Sequence, residues 1–595
     1  MTHHRWAELL GRDQLTRRFY RELEGAVHRL AASRTGRAPD VARQELALLT
    51  TSRLLFIAFL EAKGWLNGDR EFLRHHYDGL CAHGGRVHRR LLDPLFFGTL
   101  NTPTAKRSAR ALAFGHVPFL NGGLFARTAS EHRWRDGEFS DDALGGVIAT
   151  LLGRYRVTAR EQSSGLAEAA VDPEMLGRSF ESLMASDDRR KSGAFYTPLP
   201  ILERVTAEAI DEWLATRGVP PDVRLSVRAN EPLAPAWRAT ILEAVGTLRL
   251  IDPACGSGAF LVHALERIAD LRGKAGDRRS VSERRREVLT RSIFGVDINP
   301  TATWLCELRL WLSVVIDEPQ RDGATVPPLP NLDHNIRVGD ALAGAAFETT
   351  VAPEGAARLT VLRARYARSS GVRKRTLARE LDRAERRCAL ADTAGSLASV
   401  QSRRREALLV FRGRNLFGER AGPASAGRER DVQADLVMLR GEARALRARL
   451  RAIRDGAALP FSFRTHFADV GAAGGFDIVL GNPPWVRIHR LPPAMREEFA
   501  RRYAAWRNAP WTVGADATGA GRGFAAQVDL AALFVERSTQ LTRDNGVISL
   551  LVPAKLWTSL SAGGVRDVVQ RRCRLVALED WSESPASFDA VVYPS

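Results

Sequence analysis

Asn482, Pro483, Pro484 and Trp485 are the residues of this 595-residue chain whose types and order most directly suggest chemistry. They follow a short apolar run, Phe476–Leu480, with a β-branched bias that predicts a buried strand ending at Gly481. Proline has no N–H and a fixed φ, so Pro483 and Pro484 predict a stiff, exposed corner at the strand end, with carbonyls free to accept hydrogen bonds. Asn482 adds a side-chain acceptor and Trp485 a flat aromatic face. Acceptors beside a stacking plate would hold a planar group bearing an NH₂, such as the exocyclic amine of a nucleobase. An aryl amine is a poor nucleophile because its lone pair is delocalised. Acceptors that engage both amino hydrogens pull the nitrogen towards tetrahedral geometry and need no strong base. The same four residues also read as a loop whose prolines merely end a strand.

Stepping upstream, three further strands each end in an acid. Leu248–Ile251 leads to Asp252, Pro253 and Ala254, and the loop Gly256-Ser257-Gly258 opens a helix over Ala259–Leu271. Ser292–Ile298 carries Asp297 at its end, and Asn335–Leu342 carries Asp340 and Ala341. Each acid alone could be a helix N-cap. Together they predict a Rossmann-like, doubly wound α/β sheet with ligand bound outside the strands' carboxyl ends. The third glycine of a dinucleotide fingerprint is replaced by Leu261, which disfavours a pyrophosphate and favours a nucleoside ligand. Phe195-Tyr196-Thr197-Pro198, upstream of this unit, reads on its own as a turn before a helix.

The chain is strongly basic, with 87 Lys and Arg against 69 Asp and Glu and a formal net charge of +18. Only six of the basic residues are lysine, a bias a GC-rich genome explains in part. The excess favours a polyanionic partner, nucleic acid first. Five cysteines at 81, 255, 306, 388 and 573 form no CxxC pair, so neither a zinc site nor a disulfide framework is indicated and a reducing, cytoplasmic location is expected. No signal peptide is evident, and the longest apolar runs, Leu54–Leu60 and Leu310–Ile316, are too short to cross a bilayer. Residues 1–165 read as an N-terminal helical domain, with an all-round apolar helix over Leu46–Trp65 and a glycine-rich turn around Asn121. Pro39-Asp40 and Glu61-Ala62-Lys63 formally match a nuclease PD…ExK pattern, but the ExK falls on a helix rather than on the strand such a nuclease requires. Residues 166–345 carry the first part of the α/β core and 461–595 the second. Between them, 346–460 is an arginine-rich helical insertion, read either as a solvated hairpin or as a DNA-contacting segment.

The ordered set FYTP, DPACGSGAFL, FGVDIN, GDAL, NPPW and DLAALFVE…GVISLLVP resembles the adenine-N6 DNA methyltransferases of restriction-modification and phage-defence systems, in the gamma arrangement. The likeness is to the methylases of type IIG enzymes and of the BREX and DISARM systems, and extends to RLLFIAFLEAKGWL and PFLNGGLF in the N-terminal region. The resemblance implies S-adenosylmethionine as donor and double-stranded DNA as substrate. Phe195, Tyr196 and Thr197 would line its methionine end, and Asp252, Pro253, Ala254, Gly256 and Gly258 would cradle it. Asp297 and Ile298 would hold its ribose side, and Asp340 and Ala341 its adenine. Asn482, Pro483, Pro484 and Trp485 would hold the flipped target adenine, with Phe588 a loose match for a residue packing on its other face. The rivals are a protein-glutamine or RNA methyltransferase, whose NPP motifs hold similar groups, and a non-catalytic DNA-binding subunit. Such enzymes carry a target-recognition region after the Phe588-like element, and this chain stops seven residues later. The expectation is a fragment, or a chain that needs a specificity or defence-system partner subunit.

Overall fold

The structure, a computed structural model, describes residues 2–121, 123–153, 155–157, 170–171, 197–318, 326–344, 346–347, 353–412, 426–488, 491–507 and 528–581. The apolar run near the N-terminus folds as helix α2, Asp40–Ala62, after α1, Thr2–Ser33. Residues Leu46–Glu61 of α2 are buried without a break, as a helix apolar on all sides must be. Its buried Arg53 donates to the carbonyls of Leu124 (2.7 Å) and Ala126 (3.0 Å) and pairs with Glu131. The charge therefore pins the PFLNGGLF loop instead of lying unpaired in the core. Asn121, at φ +56°, donates to Asn331 Oδ1 and to the carbonyl of Ser369.

The nuclease-like residues are not assembled into one site. Asp40 and Glu61 lie on the same helix 21 residues apart, roughly 31 Å at 1.5 Å per residue. The buried Glu61 carboxylate accepts from Leu73 N at 2.7 Å, and burial pushes its pKa up to about 7. Lys63 Nζ donates to the carbonyls of Ile316 and Glu318.

Helix α3, Leu199–Thr216, leads into the sheet. Five parallel strands, β1 (Leu250–Asp252), β2 (Ile293–Asp297), β3 (Ile336–Val338), β4 (Phe476–Gly481) and β5 (Thr542–Leu550), lie in the order β3-β2-β1-β4-β5. Helices α4 (Ala259–Lys274), α5 (Val281–Arg291) and α6 (Pro300–Ile316) supply the crossovers among β1, β2 and β3. Leu250, Ile251, Ile293, Phe294, Val296, Ile478, Val479 and Leu480 are buried, the unbroken apolar pattern of strands covered on both faces. Strands β1, β2 and β3 are shorter than the sequence predicts, whereas β5 runs for nine residues. Asn545-Gly546 falls within an irregularity in the pairing of β5 with β4, and Asn545 takes φ +57°.

Asp477 is a buried anchor within β4. It accepts from Trp213 Nε1 (3.3 Å) and Arg217 (2.9 Å) of α3 and its C-cap, and from Arg249 N (2.8 Å) just before β1. One carboxylate thus fixes α3 to the two central strands.

The chain divides into two compact units. One comprises 1–342, 364–375 and 476–595, and the other 343–363 and 376–475. Most of the second unit is helical, built from much of α7 (Pro353–Ala367), α8 (Gly371–Arg412) and α9 (Ala426–Arg454). Arg363 of α7 bonds Asp469 at 2.6 Å, and Val400, Leu439 and Ala443 form a small core between α8 and α9. After β4 come α10, Pro493–Arg502, and α11, Leu530–Leu541.

Candidate active site

The strand order reverses between β1 and β4: from β1 the chain steps outward to β2 and β3, then returns to the other side of β1. The carboxyl ends on either side of such a reversal part to leave a crevice. Asp252 ends β1 and Gly481-Asn482 ends β4, so the two strongest motifs, 230 residues apart in the chain, meet at this point.

The meeting is close. Gly481 takes φ +151°, and a Cβ there would stand 2.5 Å from Asp252 Oδ1 and 2.8 Å from its Cγ. Only glycine lets β4 approach the carboxyl this way. Asp252 is 2% exposed, and its Oδ1 accepts from Ala254 N at 3.0 Å. Burial pushes its pKa up to about 8, the backbone bond opposes the shift, and the neighbouring Asp297 adds to it.

The other two acids close turns around the same edge. Asp297 accepts from Gly256 N (2.9 Å) and Asn299 N (2.8 Å), and burial raises its pKa against both bonds. Asp340 Oδ1 accepts from Leu342 N at 2.8 Å. Gly256, at φ +51°, faces open space where a Cβ would meet nothing within 4 Å. Gly258 packs against Cys306 and caps the start of α4. Pro253 and Ala341 are buried, and Ala254 is half-buried. Ile298 is 68% exposed, a large apolar side chain left uncovered directly after Asp297.

Asn482 Nδ2 donates to Thr197 Oγ1 at 3.2 Å, which joins the FYTP element to the NPPW element. Phe195, Tyr196 and Phe588 lie outside the described residues. The corner is less exposed than the sequence suggests: Asn482 and Pro484 are half-buried, Pro483 is buried, and Trp485 is 7% exposed. The residues directly after the corner pair with 528–530. Ile488 N donates to the Val528 carbonyl (3.0 Å), Leu530 N to the Val486 carbonyl (2.8 Å), and Arg487 and Asp529 form an antiparallel bridge.

Sequence reasoning missed four residues around this edge. Asp529 is 1% exposed, caps α11 through Ala531 N (3.2 Å) and pairs with Lys555 at 3.1 Å. The scarcity of lysine in so arginine-rich a chain was a usable signal for Lys555. Tyr503 and Arg537 left no such signal. The Tyr503 hydroxyl (2.7 Å) and Arg537 Nη2 (2.9 Å) both donate to the Leu342 carbonyl, joined there by Arg502 (2.9 Å). Arg537 Nε in turn donates to the Tyr503 oxygen at 2.9 Å. The loop after Asp340 is therefore clasped by residues from both sides of the glycine-rich stretch 508–527.

Residues 236–322 match the N-6 DNA methylase family, and 291–586 match the Eco57I restriction-modification methylase family. The chain belongs to the N6-adenine DNA methylases of restriction-modification systems. This methylase is 28% identical over 335 residues to RM.MjaORFECS2P of Methanocaldococcus jannaschii, by name a type II restriction enzyme and methyltransferase. That alignment covers 51% of this chain and 28% of the relative. Over 109 residues it is 32% identical to the type II restriction enzyme and methyltransferase RM.Eco57I of Escherichia coli, covering 16% of this chain and 11% of that one. The chain thus spans less than a third of the length of these relatives. Among solved structures, the type IIL restriction-modification enzyme MmeI in complex with DNA superposes with a TM-score of 0.51 at 14% identity, covering 97% of this chain and 56% of that one. The likeness is one of fold: a largely helical α/β protein around a small parallel sheet.

Proposed function

We propose that this methylase transfers the methyl group of S-adenosylmethionine to the N6 amine of adenine in double-stranded DNA, at a defined site, within a restriction-modification or phage-defence system. The observation that carries the reading is the junction of β1 and β4, where Gly481 presses against Asp252 and Asn482 reaches Thr197. A donor cradle and an amine holder then share one crevice in a Rossmann-like, doubly wound sheet.

The residues present fit the donor. Gly256 leaves an open cradle, three carboxyls stand on adjacent turns for hydroxyl and amino groups, and the exposed Ile298 offers an apolar face for a purine. When bound, S-adenosylmethionine supplies an electrophilic methyl group on a sulfonium. The chain's own work is positioning. Asp297 grips ribose hydroxyls, and Asp340 with Ala341 frames the adenine. Phe195, Tyr196, Thr197, Asp252, Pro253, Ala254, Gly256 and Gly258 enclose the rest. On the target side, the Asn482 side-chain oxygen and the Pro483 carbonyl accept the amino hydrogens, and Trp485 and Pro484 shape the wall. Extruding the base from the duplex costs a few kcal/mol, which duplex contacts must offset. Bringing amine and methyl into line is the main catalytic contribution.

In this reading the chain is arranged as an N-terminal helical domain (1–165), two parts of a methyltransferase core (166–345 and 461–595) and an arginine-rich insertion (346–460). Asn482→Ala tests the assignment. The lost amide oxygen serves the target amine, and the donor side is touched through the bond to Thr197, so donor binding by calorimetry is expected to weaken by no more than several-fold, while transfer to DNA falls by on the order of 100-fold, as when one preorganised oxyanion-hole donor is lost. Unchanged turnover would overturn the role of Asn482.

A further inference from the structure

Among its described side chains, helix α9 carries five exposed arginines, Arg440, Arg444, Arg447, Arg451 and Arg454. Their steps of four, three, four and three residues place them on one face. Each follows a residue of the apolar seam Leu439, Ala443, Leu446, Leu450 and Ile453, so the row flanks the seam by about 100°. The row spans roughly 21 Å along the helix, one cation about every 5 Å.

A water-facing helix ordinarily stabilises itself with opposite charges three and four residues apart. Here every neighbour along the row is another arginine, which is destabilising for the isolated helix. Glu442 is the sole acid between Asp435 and Asp455, and it pairs with Arg403 of α8 at 3.0 Å. Among the described residues, none of the five row arginines is in an ion pair. On α8, Arg379, Arg383 and Arg387 repeat the arrangement at four-residue steps, and all three are exposed. A bias for arginine over lysine explains the residue type, but neither the one-sided spacing nor the near-absence of acids.

From this spacing we infer that the Arg440–Arg454 row is a docking track for the phosphate backbone of duplex DNA. The inference rests on DNA being the substrate. A single small anion would need two or three guanidinium groups at one place, whereas a row this long matches a line of phosphates. Guanidinium forks bind phosphate oxygens in pairs and carry no sequence information. The track would supply site-independent affinity and orientation, with base choice made elsewhere.

The test uses the full chain and a triple variant, Arg444→Gln, Arg447→Gln and Arg451→Gln. Glutamine is close to arginine in helix propensity, and circular dichroism checks that helicity is kept. Binding to a fluorescent duplex is followed by anisotropy from low to high salt. Each lost phosphate contact lowers the magnitude of the slope of log K against log salt by about 0.9, so the variant is expected to lose between about 2 and 3 from it. A matching Arg→Lys triple is expected to keep the slope, and calorimetry to show unchanged donor binding in both. A helical Gln variant that binds duplex with the wild-type slope overturns the track and leaves the methyl-transfer reading standing. A wild-type chain that binds no duplex at any salt overturns both.

Discussion

Gly481→Ala is the most discriminating small change in the molecule. The added methyl would lie 2.5 Å from Asp252 Oδ1 and 2.8 Å from Cγ. Ordinary contact requires a separation greater by roughly 1 Å. Asp252 cannot swing aside freely, because Oδ1 is held by Ala254 N and the side chain is buried. The strand ends must therefore part, and Asn482 moves with β4. The backbone at φ +151° adds strain of about 1–3 kcal/mol for a residue with a Cβ. A displacement near 1 Å in a positioning site costs on the order of 100-fold in rate. The expected result is a folded protein, less stable by about 2 kcal/mol, with transfer to DNA reduced by about 100-fold. Chemical denaturation and a labelled-methyl assay on DNA measure the two effects. A double-mutant cycle with Asp252→Ala isolates the collision: Gly481→Ala should cost less on that background, with a coupling of at least about 1 kcal/mol in stability. Turnover within threefold of wild type, or an equal cost in both backgrounds, would refute the reasoning.

Tyr503→Phe removes one donor from the Leu342 carbonyl and leaves the buried Arg537 Nε without its acceptor. It should cost about 1–3 kcal/mol in stability and weaken donor binding several-fold by loosening the loop after Asp340. A fall in melting temperature with donor affinity unchanged would make the clasp purely structural. The raised pKa of Asp252 gives a pH signature: the folded state holds this proton up to about pH 8, whereas an unfolded aspartate releases it near pH 4. Its contribution to stability is therefore greatest below about pH 4 and declines, by at most about 1.4 kcal/mol per pH unit, until about pH 8. Asp252→Asn should flatten that window in melting curves, and parallel curves for the two proteins would contradict the assignment.

The local chemistry was legible in the chain itself. A strand run that stops at Gly481 before two prolines, and acids that close three strand-to-helix turns, follow from nearest-neighbour rules about proline, glycine and side-chain caps. The buried character of α2 was equally local, because an apolar surface on every side of a helix has nowhere to go but inside. Tertiary structure decided what spacing cannot carry. Parallel pairing sets β4 beside β1 across 227 intervening residues, so Gly481 must be glycine because of Asp252, a partner no short-range rule could name. Trp485 is a buried wall instead of an open plate, and the chain just after it, 486–488, is bonded to the distant residues 528–530. The Leu342 clasp and the Asp529–Lys555 pair likewise join groups from distant stretches. The arginine row lies between these cases: its four-three spacing stood in the sequence, but its exposure and want of ion pairs depended on which face of α9 packed inward.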